Sequence, residues 1–131
     1  MANALPHAIG AQVAFPNRQV ISVSGDGGLS MLLGELVTAR MYDLPSKVVV
    51  FNNSTLGMVK LEMEVDGLPD WQTNMLNPDF AQVAEAMGMT GFNVSDPDKV
   101  LTTLYNAFGI DGPVLVNIMT DPNALAMPPK I

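Results

Sequence analysis

The sequence predicts an α/β fold, a three-layer α/β/α domain with a mostly parallel sheet. Three observations predict it. Short apolar runs alternate along the chain with longer segments of helical spacing, as they do in βαβ units. The run KVVVF at 47–51 is continuously apolar, which is typical of a parallel strand covered on both faces. The chain has 131 residues, enough for one domain with a hydrophobic core.

The first half of the chain contains two predicted helices, each followed by a strand. Residues 2–15 are small and apolar at helical spacing, and Pro6 comes early enough to lie in a first turn. A short buried strand is predicted at 19–24. Residues 30–42 carry a helical stripe of apolar side chains, and the strand at 47–51 follows.

The second half continues the alternation and adds one less regular region. Residues 55–64 fit a short helix, and 66–76 form a predicted irregular loop around Trp71. Asn77-Pro78-Asp79 is a good helix start, because it leads into the apolar pattern FAQVAEAMG. The remaining predicted elements are a strand at 90–94, a helix that starts at 95–97 and runs to 108, a strand at 114–118 and a surface tail at 122–131.

Composition and charge exclude several classes of protein. The net charge of -7 argues against binding of nucleic acid, which needs clustered Lys and Arg. The chain contains no cysteine, so it has neither a disulfide framework nor a thiolate metal site. No run of about 18 apolar residues predicts a membrane span, and the first residues lack a signal-peptide pattern. A phosphate ligand on so acidic a chain would need a cation to hold it.

Gly25-Asp26-Gly27-Gly28 follows the first predicted strand and has more than one interpretation. The simplest is a strand-to-helix turn in which glycine supplies the backbone angles and aspartate caps the helix. A dinucleotide-binding fingerprint is excluded because it needs a glycine where Ser30 stands. A P-loop is excluded because no Gly-Lys-Ser/Thr follows. A ligand site remains open, since parallel sheets bind ligands at the carboxyl ends of their strands.

Asn52-Asn53 follows the next strand, and the two motifs together favour a metal site. Alone, the asparagine pair fits an ordinary loop start. If these two strands are neighbours, about 4.8 Å apart as paired parallel strands are, Asp26 and a carboxamide oxygen of this pair would reach one point. Such hard oxygen ligands suit Mg²⁺ or Ca²⁺. Gly27 and Gly28 would let backbone N–H groups approach a phosphate, so the pattern predicts a diphosphate held through a divalent ion.

The same residues resemble a known signature. GDG at 25–27, then 24 residues, then NN at 52–53 is similar to the thiamine diphosphate-binding motif. The surrounding segments resemble the C-terminal cofactor domain of bacterial pyruvate oxidases, with quinone-linked pyruvate dehydrogenases as the most similar subgroup; these segments are MANALPHAIGAQ, RQVISVSGDGGLSMLLGEL, LPSKVVVFNNSTLGMVKLEME, PDFAQVAEAMG and DGPVLVNI. Acetolactate synthases share the GDG and NN elements but resemble the chain less between and after them. The resemblance implies the thiamine diphosphate-binding fold.

The resemblance implies a ligand set for Mg²⁺ and for the diphosphate. The side chains of Asp26 and Asn53 would bind the metal, with the backbone oxygen of Thr55 as the third protein ligand. Gly27 and Gly28 fall where the family's backbone meets the diphosphate.

The resemblance also implies contacts to the rest of the cofactor and to substrate. Met1 corresponds to a residue whose backbone contacts the aminopyrimidine ring. Gly57, Met58 and Val59 lie on a loop that flanks the cofactor. Met58 and Glu62 occupy positions near the substrate.

Residues 1–131 are therefore expected to be the C-terminal thiamine diphosphate- and Mg²⁺-binding domain of a larger multidomain subunit. The resemblance implies oxidative decarboxylation of pyruvate by a homotetramer, cytoplasmic and able to associate with the inner face of the membrane. No catalytic residue is expected in this chain, because the activating glutamate lies on an N-terminal domain of a neighbouring subunit. A middle domain would bind FAD. The alternatives are a fragment of an acetolactate synthase and a non-catalytic Mg²⁺–diphosphate-binding module.

Two conspicuous residues have simpler explanations than catalysis. His7 is the sole histidine and lies in a predicted helix away from both motifs, which favours a structural or surface role. Trp71 is one aromatic residue in an irregular loop, so packing of the loop or of a further domain is favoured over cofactor stacking.

Overall fold

The sheet contains four strands, and all of them are parallel. The structure is a computed structural model, and it describes residues 1–124. The strands are β1 (Ile21–Gly25), β2 (Lys47–Asn52), β3 (Thr90–Val94) and β4 (Val114–Met119), in the spatial order β1-β2-β4-β3. The predicted α/β class with a parallel sheet is confirmed. Most of the tail predicted at 122–131 lies outside the described residues.

Residues 1–124 form six helices, most of which pack on the two faces of this sheet. They are α1 (Ala4–Ala14), α2 (Asp26–Met31), α3 (Glu35–Met41), α4 (Gly57–Val65), α5 (Phe80–Ala86) and α6 (Pro97–Phe108). Helices α1, α2, α3 and α5 share one core with alternate residues of the central strands, such as Val48, Val50 and Leu115. Helix α6 packs on the opposite face against Val114, Val116 and Ile118. The predicted three layers are confirmed, and the hydrophobic effect of these two cores stabilises them.

The prediction of one helix over 30–42 is wrong. Helix α2 already begins at Asp26 and ends at Met31, and α3 begins only at Glu35. Between them, backbone N–H groups bond three residues back, including Leu32 to Leu29 and Val37 to Gly34. Such tighter turns and a glycine with low helix propensity interrupt a continuous helix. The residues 26–28 are consequently the first turn of a helix and not a loop.

A buried lysine connects the sheet to the turn before β4. Lys47 begins β2, and its Nζ donates hydrogen bonds to the carbonyl oxygens of Ile110 (2.6 Å) and Gly112 (2.7 Å). Burial lowers the pKa of Lys47 below its usual value, and the nearby carboxylate of Asp111 partly opposes this. The two carbonyl groups offset the loss of hydration of the ammonium group and hold the α6–β4 turn against β2.

Asp79 caps α5 as the sequence predicts. Its carboxylate accepts hydrogen bonds from the backbone N–H of Gln82 (3.0 Å), from Gln82 Nε2 (2.9 Å) and from Asn93 Nδ2 (2.7 Å). The helix therefore starts at a fixed point, and its first residue, Phe80, enters the core with no exposed surface. These hydrogen bonds, above all the one from the backbone of Gln82, lower the pKa of Asp79.

Replacing Asp79 by alanine should destabilise the protein in a pH-dependent way. At pH 7 the loss should be about 1 kcal/mol, the usual contribution of an N-cap. Since the folded pKa is depressed, the cap stabilises fully above the usual aspartate value, near 3.8, and its contribution disappears as the pH falls through the lower folded value. Unfolding of both proteins at pH 7 and at pH 3 measures this, with Asp66→Ala as a matched exposed control. A difference that stays constant over this range would contradict the assignment.

Candidate functional site

The two polar motifs lie side by side at one edge of the sheet. β1 pairs with β2, and the register places Gly25 opposite Phe51. Asp26 follows β1 directly, while Asn52 is the last residue of β2 and Asn53 comes next. The predicted metal site requires that the strands before these motifs are neighbours, and the pairing of β1 with β2 meets this condition.

Asp26 is buried and is bonded to the loop that follows β2. Its side chain keeps only 3% of its accessible surface. Oδ2 accepts hydrogen bonds from the backbone N–H of Ser54 (2.9 Å) and from Asn77 Nδ2 (2.6 Å). Across residues 1–124, Oδ1 has no hydrogen-bond donor, so it is available to a ligand. Helix α2 begins at Asp26, which is one of the buried residues of that helix.

The two asparagines of the second motif have different environments. Asn52 is buried, and its Oδ1 accepts from Asn77 Nδ2 (2.9 Å) and from the N–H and Oγ of Ser54 (both 3.2 Å). Asn53 Oδ1 instead accepts from the backbone N–H of Thr55 (3.1 Å). Ser54, with a φ of 54°, turns the chain between them. Asn52 is thus part of the protein's own hydrogen-bond network, whereas Asn53 lines the cavity described next.

A cavity of about 700 Å³ lies beside these residues. All but one of the sequence-predicted site residues line it; these are Met1, Asp26, Gly27, Gly28, Asn53, Thr55, Gly57, Met58 and Val59. Glu62 lies one turn further along α4, is exposed, and is not among the lining residues. Asn52, Ser54 and Asn77 border a second, smaller cavity of about 290 Å³. The loop after β2 therefore divides two cavities.

Two glycines allow the chain to pack closely at the start of α2. A Cβ atom on Gly27 would lie 2.8 Å from Leu56 Cδ2, and one on Gly28 would lie 3.0 Å from Ser24 Oγ. Both residues line the larger cavity. The absence of side chains here leaves room for Leu56 and Ser24 beside the first helical turn, where the diphosphate contact is predicted.

The donor set beside the cavity suits a hard divalent cation. It comprises the carboxylate oxygen Oδ1 of Asp26, the carboxamide oxygen of Asn53 and the backbone oxygen of Thr55. Within residues 1–124, Asp26 Oδ1 accepts no hydrogen bond and Asn53 Oδ1 accepts only one, so each has a lone pair available. Residues 1–124 contain no group of three His, Cys, Asp or Glu side chains that could hold a metal. A site with a single carboxylate leaves room for water and phosphate oxygens, which is how Mg²⁺ is commonly bound. The residues present therefore fit a metal-bound diphosphate, and the individual ligand assignments stay predictions.

The segment at 73–77 supports the site, and the sequence did not indicate this. Thr73 O accepts from the backbone N–H of Leu56 (2.8 Å) and from Thr55 Oγ1 (3.2 Å), and Met75 N–H donates to Ser54 O (2.8 Å). Asn77 then contacts Asp26 directly. From the sequence, the position of Asn77 before Pro78 indicates only the start of a helix. A contact between residues 51 positions apart cannot be inferred from a local sequence pattern.

His7 and Trp71, for which the sequence favours roles other than catalysis, do not line the larger cavity. His7 is exposed in α1, and its Nδ1 donates to the carbonyl oxygen of Asn3 (2.6 Å). Trp71 is 70% exposed in the segment after α4. Neither position contradicts the simpler explanations.

Comparison with known proteins agrees with this geometry. Residues 1–118 match the family described as "Thiamine pyrophosphate enzyme, C-terminal TPP binding domain", where thiamine pyrophosphate is another name for thiamine diphosphate. The chain belongs to this family. The resemblance to a thiamine diphosphate-binding domain is thereby confirmed.

Individual relatives are similar over nearly the whole chain. A Bacillus subtilis protein, YdaP, named provisionally as thiamine pyrophosphate-containing, is 41% identical over 97% of this chain and 22% of its own length. Acetolactate synthase isozyme 2 large subunit of Escherichia coli is 38% identical over 89% of the chain and 22% of its own length. The mitochondrial acetolactate synthase catalytic subunit of Saccharomyces cerevisiae is 36% identical over 98% of the chain and 19% of its own length. The chain thus spans about a fifth of these relatives.

Removing the carboxylate of Asp26 should prevent metal-dependent binding of thiamine diphosphate. Asp26→Asn keeps the size of the side chain and an oxygen that can accept from Ser54 N–H, so the fold should persist while the cation half-saturation rises more than about 100-fold. Asp26→Ala should also lower stability by about 1–3 kcal/mol, because Ser54 N–H and Asn77 Nδ2 each lose a hydrogen bond to a charged acceptor and keep only the one to Asn52 Oδ1. Calorimetric titration of the cofactor at several Mg²⁺ concentrations measures the first effect.

Asp43→Asn is the matched control, since Asp43 is an exposed carboxylate that pairs with Arg40 away from the cavity. It should leave cofactor binding unchanged. Retention of Mg²⁺-dependent binding by Asp26→Asn would show that Asp26 is not a metal ligand.

Proposed function

We propose that this chain supplies the metal–diphosphate half of the active site of a larger enzyme, and that the enzyme joins two molecules of pyruvate, with release of one CO₂, to form acetolactate. The observation that carries the cofactor part is the convergence of Asp26, Asn53 and Thr55 with Gly27 and Gly28 around one cavity. The acetolactate part is supported by the names of relatives that match most of the chain.

The chain's own residues would bind and orient the cofactor. Thiamine diphosphate supplies the electron sink that makes decarboxylation of a 2-oxo acid possible. Asp26, Asn53 and the backbone oxygen of Thr55 would hold Mg²⁺, which offsets the charge of the diphosphate on an acidic chain. Met58 and Val59 would form an apolar wall that excludes water from the reacting part of the site.

A second candidate reaction is oxidative decarboxylation of pyruvate, with electrons passing to a flavin and then to quinone or oxygen. The sequence favours it through the segments that resemble pyruvate oxidases, including the pair Met58 and Glu62 on α4. This candidate would also require FAD in the full-length protein, and only the resemblance to pyruvate oxidases supports that cofactor. Both candidates begin with decarboxylation of pyruvate and differ in what accepts the resulting two-carbon unit or its electrons. A non-catalytic module is less well supported, since the relatives named as enzymes are about five times longer.

The exposure of large apolar side chains around the cavity supports an interface with another domain. Val23, Phe51 and Met58 line it and are 58%, 47% and 60% exposed, which is unusual for such large apolar side chains. We propose that an N-terminal domain of a neighbouring subunit, within a homotetramer, covers them and supplies the activating acid. The chain by itself should then be catalytically silent.

No helix within residues 1–124 is long and apolar enough to cross a membrane. A cytoplasmic location, with peripheral attachment to the inner face of the membrane, is part of the oxidase candidate.

The two candidate reactions predict different products from the full-length protein. Given pyruvate, thiamine diphosphate and Mg²⁺, the first yields acetolactate without an oxidant, at a turnover on the order of 10 s⁻¹. The second yields little product until an artificial electron acceptor is added, and then reduces it in proportion to the CO₂ released. Assays of acetolactate and of acceptor reduction in parallel distinguish them. Absence of both activities in the presence of bound cofactor would contradict the proposal.

Glu62→Gln should lower kcat more than it raises the half-saturating concentration of cofactor. The reason is its predicted place on the substrate side of α4, outside the cavity that receives the diphosphate. Glu64→Gln, two residues further along the same helix, is the matched control and should change neither quantity. If Glu62→Gln weakened cofactor binding as much as turnover, its role would be structural.

A further inference from the structure

Asn77 joins three separate segments at the metal side of the site. Its Nδ2 donates to Asp26 Oδ2 at 2.6 Å and to Asn52 Oδ1 at 2.9 Å. Asp26 follows β1, Asn52 ends β2, and Asn77 itself precedes α5. One amide group therefore connects the ends of two neighbouring strands.

The hydrogen-bond donors and acceptors fix the orientation of all three side chains. The carboxylate of Asp26 can only accept, so Asn77 must present its nitrogen to it. The backbone N–H of Ser54 can only donate, which identifies the atom of Asn52 that it contacts as the oxygen. Ser54 N–H also donates to Asp26 Oδ2. Oδ2 thus receives two donors, while Oδ1 receives none from residues 1–124.

The backbone around Asn77 is held independently of its side chain. Met75 N–H donates to Ser54 O at 2.8 Å on one side. On the other, Phe80 has no exposed surface in the core. Losing the Asn77 amide should therefore remove one of the two hydrogen bonds to Asp26 Oδ2 without displacing the segment that carries Asn77.

We propose that Asn77 is a positioning residue that restricts Asp26 to coordination through one oxygen, and that the site thereby selects Mg²⁺ over Ca²⁺. The inference rests on the proposed metal-binding role of Asp26. Mg²⁺ requires near-ideal octahedral geometry, whereas Ca²⁺ takes six to eight oxygens and readily binds both oxygens of a carboxylate. With Oδ2 already bonded to Asn77 and Ser54, a bidentate contact would cost hydrogen bonds. Partners of this kind orient a ligand and tune its metal.

The test replaces Asn77 by leucine, which has a similar size and no donor, in the full-length protein. The measured quantities are the half-saturating concentrations of Mg²⁺ and of Ca²⁺ for binding of thiamine diphosphate, obtained by calorimetric titration. The value for Mg²⁺ should rise about tenfold or more, the usual effect of losing such a partner. The value for Ca²⁺ should change less than about threefold, because Oδ2, which then accepts only from Ser54 N–H, can join Oδ1 in binding Ca²⁺.

Asn93→Leu is the matched control. Asn93 is a carboxamide near the same edge of the sheet, but its Nδ2 donates to Asp79 Oδ1 at 2.7 Å and not to a predicted metal ligand. It should leave both half-saturating concentrations unchanged. Asn77→Ala provides a second variant if the leucine variant does not fold, and thermal unfolding of each variant identifies that case.

The outcomes separate this inference from the proposed function. An equal loss for both metals, or no loss for either, would overturn the selective role of Asn77. If Asp26→Asn also left the dependence on both metals unchanged, the proposed metal site itself would be wrong. Impaired binding in Asp26→Asn together with a reduced preference for Mg²⁺ in Asn77→Leu would support both.

Discussion

The hydrogen bonds of the buried Asp26 carboxylate hold the site together. A carboxylate withdrawn from water is costly unless it is bonded, and here Ser54 N–H and Asn77 Nδ2 meet that requirement. Each donor belongs to a different segment. The carboxylate that would bind a cation therefore also holds these two segments in place around the site. The parallel pairing of β1 with β2 makes this possible, because it brings the carboxyl ends of both strands to one edge.

The loop after β2 serves two purposes within four residues. Asn52 and Ser54 point their polar atoms into the protein's own network, while Asn53 and Thr55 border the larger cavity. The left-handed conformation of Ser54 turns the chain at the point where these environments alternate. A two-residue motif in the sequence therefore contains one asparagine that shapes the site and one that faces the ligand.

The sequence was informative where local patterns determine the structure. Alternating elements, apolar strands and the helix start at 77–79 are all local signals, and the pairing of β1 with β2 joins the two consecutive strands that precede Asp26 and Asn53. The break between α2 and α3 was missed, because the stripe that includes Leu36 and Met41 is continuous in sequence although only Leu36 is buried. The contact of Asn77 with Asp26 and the burial of Lys47 depend on distant segments, and neither residue type is normally a sign of such an environment.

The order of the strands has a consequence for how the chain can fold. β4 is the last strand of the described chain, yet it lies between β2 and β3. Until β4 has been synthesised, β3 has no strand beside it, and β1 and β2 can form only a two-stranded pair. Two-stranded sheets are marginal in water, and pairing across long stretches of chain is slow. The nascent domain should therefore emerge from the ribosome with its core incomplete and become cooperative only when β4 inserts.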